Sequence, residues 1–556
     1  MVENRVRYAV RRLLHSETIL TLPKRERPRV TDTPTPAENS SETAEIGLLQ
    51  RALRSAGSDA ARYIPVRFVP ALTSLLTVPI FTAAISPAQY GGFYVVSSAA
   101  SLLAAIATGW ISSATVRFYW PYEREGRTDA YVSTIVWSAV GALAATSAVV
   151  VAAAAFGLTS QSAEVQKLIP AGVAFLFFSF LTNVLVQLLR ASKRASAFAR
   201  MQVGGVVLST ALSIVLVWYG KMGAAGILGG AALGWAIMLI PIVREVSRVG
   251  SVSPRAFKRD TLNELATYGL PLVPVAVAGW ALVLLDRYVL LWLSGETAVG
   301  IYSVAYSLGD KIMALATMPL LLTMAPSLTE TFEKRGQKLA EQVQTHMVRY
   351  FALATFPLVA GLAVAGYAFM KVFADPRYLS AWPVLPLVAA GTMLSAFAQI
   401  AGTGLGLHKK TVAIMINTVI AAAVNFGLNV WLIPRFGFYA AAVNTLIAYG
   451  VLLLLTWYRS RPYMTLHLPW SALGRILAAC AGMTLAVWLV FSRLVATATR
   501  LEMVWVLVGE AALGIVVYSA LAIAFGAIDH RERAFAKELS AKAIAKLRRS
   551  DSKPKS

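Results

Sequence analysis

The stretch "VGIYSVAYSLGD", Val299 to Asp310, has a twin 208 positions earlier in "GGFYVVSSAASL", Gly91 to Leu102. Each copy places a bulky apolar residue and a tyrosine after glycine, then runs on through small and apolar residues. A chain that writes such a phrase twice has built one unit twice. What the unit is depends on the solvent around it.

The chain has 556 residues, of which 57% are hydrophobic and 14% charged. That is too apolar for a soluble multidomain protein. Its apolar residues arrive in runs of roughly 20, the length a helix needs to cross ~30 Å of hydrocarbon. Runs without strict alternation exclude a barrel, so the spans are helices.

Hydropathy places about fourteen of them between Tyr63 and Phe525. The 51 Lys and Arg against 28 Asp and Glu give a formal charge of +23, which in a soluble protein suggests nucleic acid. In a membrane protein it marks cytoplasmic loops instead, and no nucleic-acid partner is expected. With a cytoplasmic N-terminus, roughly forty of the basic residues fall inside and about seven outside. Both termini are therefore expected in the cytoplasm. The lone Cys480 lies in an apolar run, which excludes an internal disulfide and argues against a metal site.

The two phrases open the second and eighth spans. "LVWYGKMGAAG" echoes "NVWLIPRFGFYAA" at the ends of the fifth and eleventh, and Lys193-Arg194 echoes Lys409-Lys410. Six spans separate the copies, so both halves keep one orientation and the repeat is parallel. The expected fold is an all-α integral membrane protein of about 14 transmembrane helices, with two parallel pseudo-symmetric six-helix lobes plus a C-terminal helix pair. Residues 1–62 are a cytoplasmic basic tail with a disordered linker, 63–243 the N-lobe, 244–267 the inter-lobe loop and 268–458 the C-lobe. Residues 472–526 hold the last two spans, and 527–556 form a second basic tail. Both tails suit anionic inner-leaflet lipids.

Few charges lie deep in spans. Asp286 and Arg287 fall in the seventh, Asp310 and Lys311 in the eighth, and Glu510 in the fourteenth. Four in adjacent helices would be costly against lipid, so they are expected to face a cavity or one another. At ~1.5 Å per residue, Arg287 lies about 9 Å below the outer surface and Asp310 about 18 Å, which an arginine stem nearly bridges. A buried Arg287–Asp310 pair is one expectation; a wet vestibule lined by Arg287, Lys311, Arg67 and Arg117 is the other. Adjacent residues on a helix point about 100° apart, so one of Asp310 and Lys311 is expected to pair while the other meets solvent or substrate.

Trp280 either packs or stacks on a sugar. Glu510 is read as a packing or lipid-interface residue. Prolines in "YIPVRFVP" and "YGLPLVP" suggest that the first and seventh spans are broken or kinked. "GLGLHKKT" carries Lys409 where a phosphate loop needs glycine, which disfavours an ATP-driven pump. The short outside turns leave no room for a catalytic constellation, so neither enzyme activity nor a cofactor is expected.

"LNELATYGLPLVPVAVAGWALVLLDRYVLLWLSGETAVGIYSVAYSLGDKI", Leu262 to Ile312, resembles the polysaccharide transporters, the O-antigen flippase relatives of the multidrug/oligosaccharidyl-lipid/polysaccharide exporter superfamily. The shared pattern is Leu-Pro after Tyr-Gly, a Trp, an Asp-Arg pair and Gly-Ile-Tyr-Ser. The resemblance runs over residues 63 to 460 and is most specific from Asp286 to Tyr302.

It implies a flippase that moves a polyprenyl-diphosphate-linked oligosaccharide across the bacterial cytoplasmic (inner) membrane by alternating access. The product would be O-antigen, capsule or exopolysaccharide. Arg287, Lys311, Arg67, Arg117 and Trp280 are then substrate-binding candidates, and Asp286 and Asp310 candidates for ion coupling. A polysaccharide polymerase or glycosyltransferases are candidate partners. A lipid II flippase and a multidrug or cation antiporter of the same superfamily are the alternatives.

Overall fold

The computed structural model describes residues 65–66, 68–157 and 162–528. The N-terminal tail, nearly all of the C-terminal one and Arg67 lie outside them. Every regular element among the described residues is helical. In the first set are α1 (Phe68–Ala84), α2 (Pro87–Arg124), α3 (Thr128–Ala155), α4 (Ala163–Ala191), α5 (Ala195–Trp218) and α6 (Gly223–Val246). A short amphipathic α7 (Arg259–Gly269) leads to α8 (Val273–Arg335).

Then come α9 (Gln337–Phe373), α10 (Val384–Ala401), α11 (Thr403–Leu407), α12 (Thr411–Phe436) and α13 (Phe438–Ser460). A final pair, α14 (Trp470–Thr497) and α15 (Arg500–Ala524), closes the described chain.

Among the described residues, twelve helical stretches are long and apolar enough to cross a bilayer, with α7 and α8 counted as one. Helix α8 is in fact two spans: at Gly295 the backbone takes φ 77° and ψ 176°, a conformation an L side chain resists, and the helix doubles back. Its two halves, together with the shorter α1, bring the count to the expected fourteen. The proline kink expected in the seventh span is instead a boundary. Helix α7 ends at Gly269, a 3-10 turn covers Leu270–Leu272, and Pro274 sits in the first turn of α8, where no backbone donor is lost.

Helix starts follow ordinary capping chemistry. Ser86 and Gln89 form a reciprocal capping box ahead of α2, with Pro87 at its first position, and Thr499 and Glu502 do the same for α15.

Packing divides the spans by depth. Where α2 begins, the two sets share one apolar core, in which Ile85 and Tyr90 of α1–α2 meet Leu290, Tyr302, Tyr378 and Ala441 of the second set. At the opposite, basic end the cores are separate. Ile111, Tyr131, Leu188 and Ile242 form one with Leu265 of α7. Val348, Phe351, Ile400 and Leu466 belong to another. The sets are thus joined at one end and independently packed at the other.

The join is a crossing of the repeated phrases. A Cβ on Gly91 would lie 2.0 Å from the Glu296 carbonyl oxygen, and one on Gly300 would lie 1.9 Å from that of Pro87. The matching helices of the repeat therefore touch, backbone to backbone, at this end. Ser162, the N-cap of α4, also donates to Glu296.

The loop after α9 adds a strap: the Asp375 amide donates to Thr82 Oγ1 at 3.2 Å, Arg377 Nη2 to the Thr82 carbonyl at 2.8 Å, and the Tyr378 hydroxyl to the Ile85 carbonyl at 3.2 Å. Burial alone would raise the Asp375 carboxyl, but the side-chain and backbone donors of Arg377 and its charge outweigh this and hold it below the usual carboxylate range. A depressed pKa stabilises the fold above the ordinary carboxylate range, and that contribution is lost as pH falls through the folded value.

Gly91→Val and Gly300→Val are each expected to cost at least the ~1–3 kcal/mol typical of overpacking, because rigid backbone faces the new atoms. Gly109→Ala, whose Cβ would meet nothing within 4 Å, is the neutral control in a detergent melt. Equal melting of all three would remove the crossing from the argument. Asp375→Asn is expected to flatten the acid limb of wild-type stability, measured as melting temperature against pH.

Candidate functional site

Two turns inward from the shared end, the halves of α8 enclose a buried ion pair. Asp286 and Arg287 are neighbours in sequence, and Arg287 Nη1 lies 3.0 Å from Asp286 Oδ1 with both side chains at most 3% exposed. The same Nη1 donates to the Val283 carbonyl at 2.9 Å. Tyr302, from the returning half of α8, donates its hydroxyl to the other oxygen of Asp286. The pair therefore fastens the hairpin to itself.

Around the guanidinium stand three tyrosine rings: Tyr306 at 4.4 Å, Tyr302 at 5.7 Å and Tyr94 of α2 at 5.9 Å from their centroids. Tyr94 and Tyr302 occupy equivalent places in the repeated phrase. An arginine over aromatic faces is attracted by their quadrupoles, the more so when water is excluded. Its Nε is buried without a hydrogen-bond partner. Such an unmet donor on a charged group is costly and marks a place where an acceptor can be gained.

The expected Arg287–Asp310 pair is not formed. Asp286 is already one residue away, whereas Asp310 lies about six residues deeper along the adjoining helix and has its own cation: Lys311 Nζ reaches Asp310 Oδ2 at 2.8 Å. Thr392 of α10 adds a hydroxyl bond to Asp310 at 3.3 Å. The expectation that Asp310 and Lys311 would split, one paired and one free, is likewise corrected. The flexible lysine stem lets neighbours on a helix meet, and both stay partly exposed, Lys311 at 37%. Arg287 is not on a wet wall in this conformation; it is sealed in.

Trp280 ties α8 to α2, its indole N–H donating to the Ser98 carbonyl and to Ser101 Oγ, both at 3.0 Å. Tyr288 beside it reaches the Val95 carbonyl at 3.1 Å. Arg117 is exposed on α2, away from this cluster, and Arg67 lies outside the described residues. Glu510 is buried in the final helix pair with Oε2 unpartnered.

Sequence reasoning missed a polar column running from the ion pair between α12 and α13. Asn425 bonds Thr445 at 3.3 Å, Asn429 bonds Asn425 at 2.9 Å, Asn444 bonds Asn429 at 3.0 Å, and Asn417 bonds Thr456 at 3.2 Å. The asparagines are all nearly or fully buried. Their signal was present as Asn417, Asn425 and Asn429 within one apolar run, close to whole-turn spacing, but a search for charges passes over amides.

Two helix sets joined at one end over a buried ion pair, with separate cores at the other, form the fold of a multi-helix membrane transporter. The solved structure of a lipid II flippase in an inward closed conformation superposes with a TM-score of 0.67, covering 84% of this chain and 98% of that one at 15% identity. An uncharacterised membrane protein of Methanocaldococcus jannaschii is 23% identical over 69% of this chain and 80% of its own length. A probable low-salt glycan biosynthesis flippase of Haloferax volcanii is 23% identical over 43% of this chain, which spans half of that relative's length. The model of the polysaccharide biosynthesis protein family matches residues 59–332. That match, over just under half of the chain, is to the same class of polysaccharide transporters that the sequence resembles.

Asp286→Asn and Arg287→Gln are each expected to cost about 3–5 kcal/mol in stability, since either leaves a buried group unpaired. The double variant should recover part of that loss. A double-mutant cycle on unfolding in detergent checks it, and strict additivity would show that the pair is not coupled.

Proposed function

We propose that this chain flips a lipid-linked oligosaccharide carrying phosphate from the basic, cytoplasmic face of a membrane to the other, by alternating access between its two helix sets. In a bacterial cell this would be a polyprenyl-diphosphate carrier destined for surface polysaccharide. The observation that carries the reading is Arg287, a buried guanidinium with an unmet donor, lying against the helix that must move.

A sugar and a diphosphate lose their hydration in hydrocarbon and need charge-assisted donors in its place. Arg117 and Lys311 supply cations toward the end where the cores separate, which is where such a substrate enters. Opening the shared end requires α2 to leave α8. That movement breaks the Trp280 and Tyr288 bonds, withdraws Tyr94 from Arg287 and exposes its Nε. The guanidinium then receives a phosphate oxygen while Asp286 and Tyr302 hold it in place. A lipid tail remains in the bilayer beside the sets throughout.

Asp286 and Asp310 are the candidates for ion coupling. Asp310 is the more accessible, being partly exposed and bonded to Lys311 and Thr392.

Reconstitution into vesicles with a fluorescent polyprenyl-diphosphate oligosaccharide, read by leaflet accessibility, tests the proposal. Lys311→Gln is expected to slow flipping by roughly tenfold or more, the worth of one charged hydrogen bond to phosphate. Asp310→Asn is expected to abolish dependence on a proton gradient. No acceleration by the wild-type chain over empty vesicles would end the proposal, and gradient dependence unchanged in both Asp286→Asn and Asp310→Asn would remove the coupling role.

A further inference from the structure

A cleft of about 380 Å³ opens at the basic end between α9, the start of α14 and the residue pair beyond α15. Arg349, Arg475, His346, Trp470 and Ser471 are among its lining residues, and none of the described lining residues is acidic. Arg475 Nη1 donates to the Gly526 carbonyl at 3.2 Å and Arg349 Nη2 to the Ala527 carbonyl at 2.8 Å, so backbone contacts orient both guanidiniums. Arg475 is exposed and has five N–H donors in all, only one of them bonded to that carbonyl. Helix α14 begins in the cleft at Trp470, and its preceding Pro469 makes no side-chain cap. The first amides of α14 thus add to the positive field of the arginines.

The cleft continues into an apolar track. Trp470 is 72% exposed, and Leu477, Leu485 and Trp488 follow it at helical spacing on exposed surface of α14. Gly474, between Trp470 and Leu477, leaves open space where a side chain would stand. A cationic cleft flanked by an interfacial tryptophan and leading onto a lipid-facing stripe matches one chemistry: an anionic head on apolar chains.

We infer that this cleft binds the phosphate of an anionic phospholipid in the leaflet at the basic end, with its acyl chains along α14. The site is separate from the ion pair of α8 and lies beyond the residues the family model matches. It takes from the transport reading only the identity of that leaflet.

Native mass spectrometry of the full chain in detergent tests it, with phosphatidylglycerol and phosphatidylcholine of identical acyl chains and inorganic phosphate as competitor. Phosphatidylglycerol is expected to stay bound where phosphatidylcholine is stripped, and inorganic phosphate is expected not to displace it. Arg475→Gln should cut retention about tenfold, while Arg493→Gln at the far end of α14 leaves it unchanged. A photoreactive residue at position 471 should crosslink to lipid.

Equal retention of the two lipids, full displacement by inorganic phosphate, indifference to Arg475→Gln, or a crosslink from position 471 to the chain's own residues 529–556 would each overturn the site. Lipid retention is read without translocation, so this inference and the transport reading fail independently.

Discussion

The contact on which the rest depends is the crossing of α2 and α8 at Gly91 and Gly300. Two backbones this close exclude even a methyl group, so the helices can approach only where both phrases carry glycine. The approach sets everything deeper. Tyr94 lies one turn beyond Gly91 and comes to rest near Arg287, while Trp280 and Tyr288 come into reach of Ser98 and Val95. A wider crossing would lose these bonds together. The duplicated phrase thus joins the two sets and also supplies all three rings around one cation.

That cation is held in an incomplete way, and the incompleteness has a physical cause. Its carboxylate partner precedes it on the same helix, and the Asp286 oxygens also receive the Tyr302 hydroxyl. Geometry on one helix lets Nη1 reach Asp286 and Val283 but leaves Nε without a partner. A cluster selected only for stability would replace such a pair with apolar packing, which is often neutral or favourable. A charge retained at this depth with a donor unmet is more readily understood as a group whose surroundings change.

Much of the architecture was legible because hydropathy runs and phrase repetition are properties of the chain alone. All fourteen spans have helical counterparts, and the Pro-Leu-Val-Pro stretch marks a helix start although it was read as a kink. The partner of Arg287 was not legible: depth along two helices allowed Asp310, and only the rotamers of neighbouring side chains favour Asp286. The three tyrosines were visible as residues but not as a cage, since Tyr94 arrives by a tertiary crossing. The asparagine column of α12 and α13 escaped because amides carry no charge, although in a dry interior each still requires a partner.

Asp286-Arg287 and Asp310-Lys311 have the same order of charge on the two halves of α8, yet their surroundings give them different capacities. The first is dry, aromatic and geometrically fixed, with an arginine whose planar fork cannot be rearranged cheaply. The second is half-wet, paired through a flexible lysine stem, and bonded to a hydroxyl that can rotate. Under the proposed function, a substrate phosphate would compete for Lys311 without moving a helix, because that side chain is already partly exposed. Reaching Arg287 requires separating α2 from α8. In the transport cycle proposed above, the exposed cation acts before the movement and the enclosed one after it, which would couple exchange of phosphate between them to opening of the shared end.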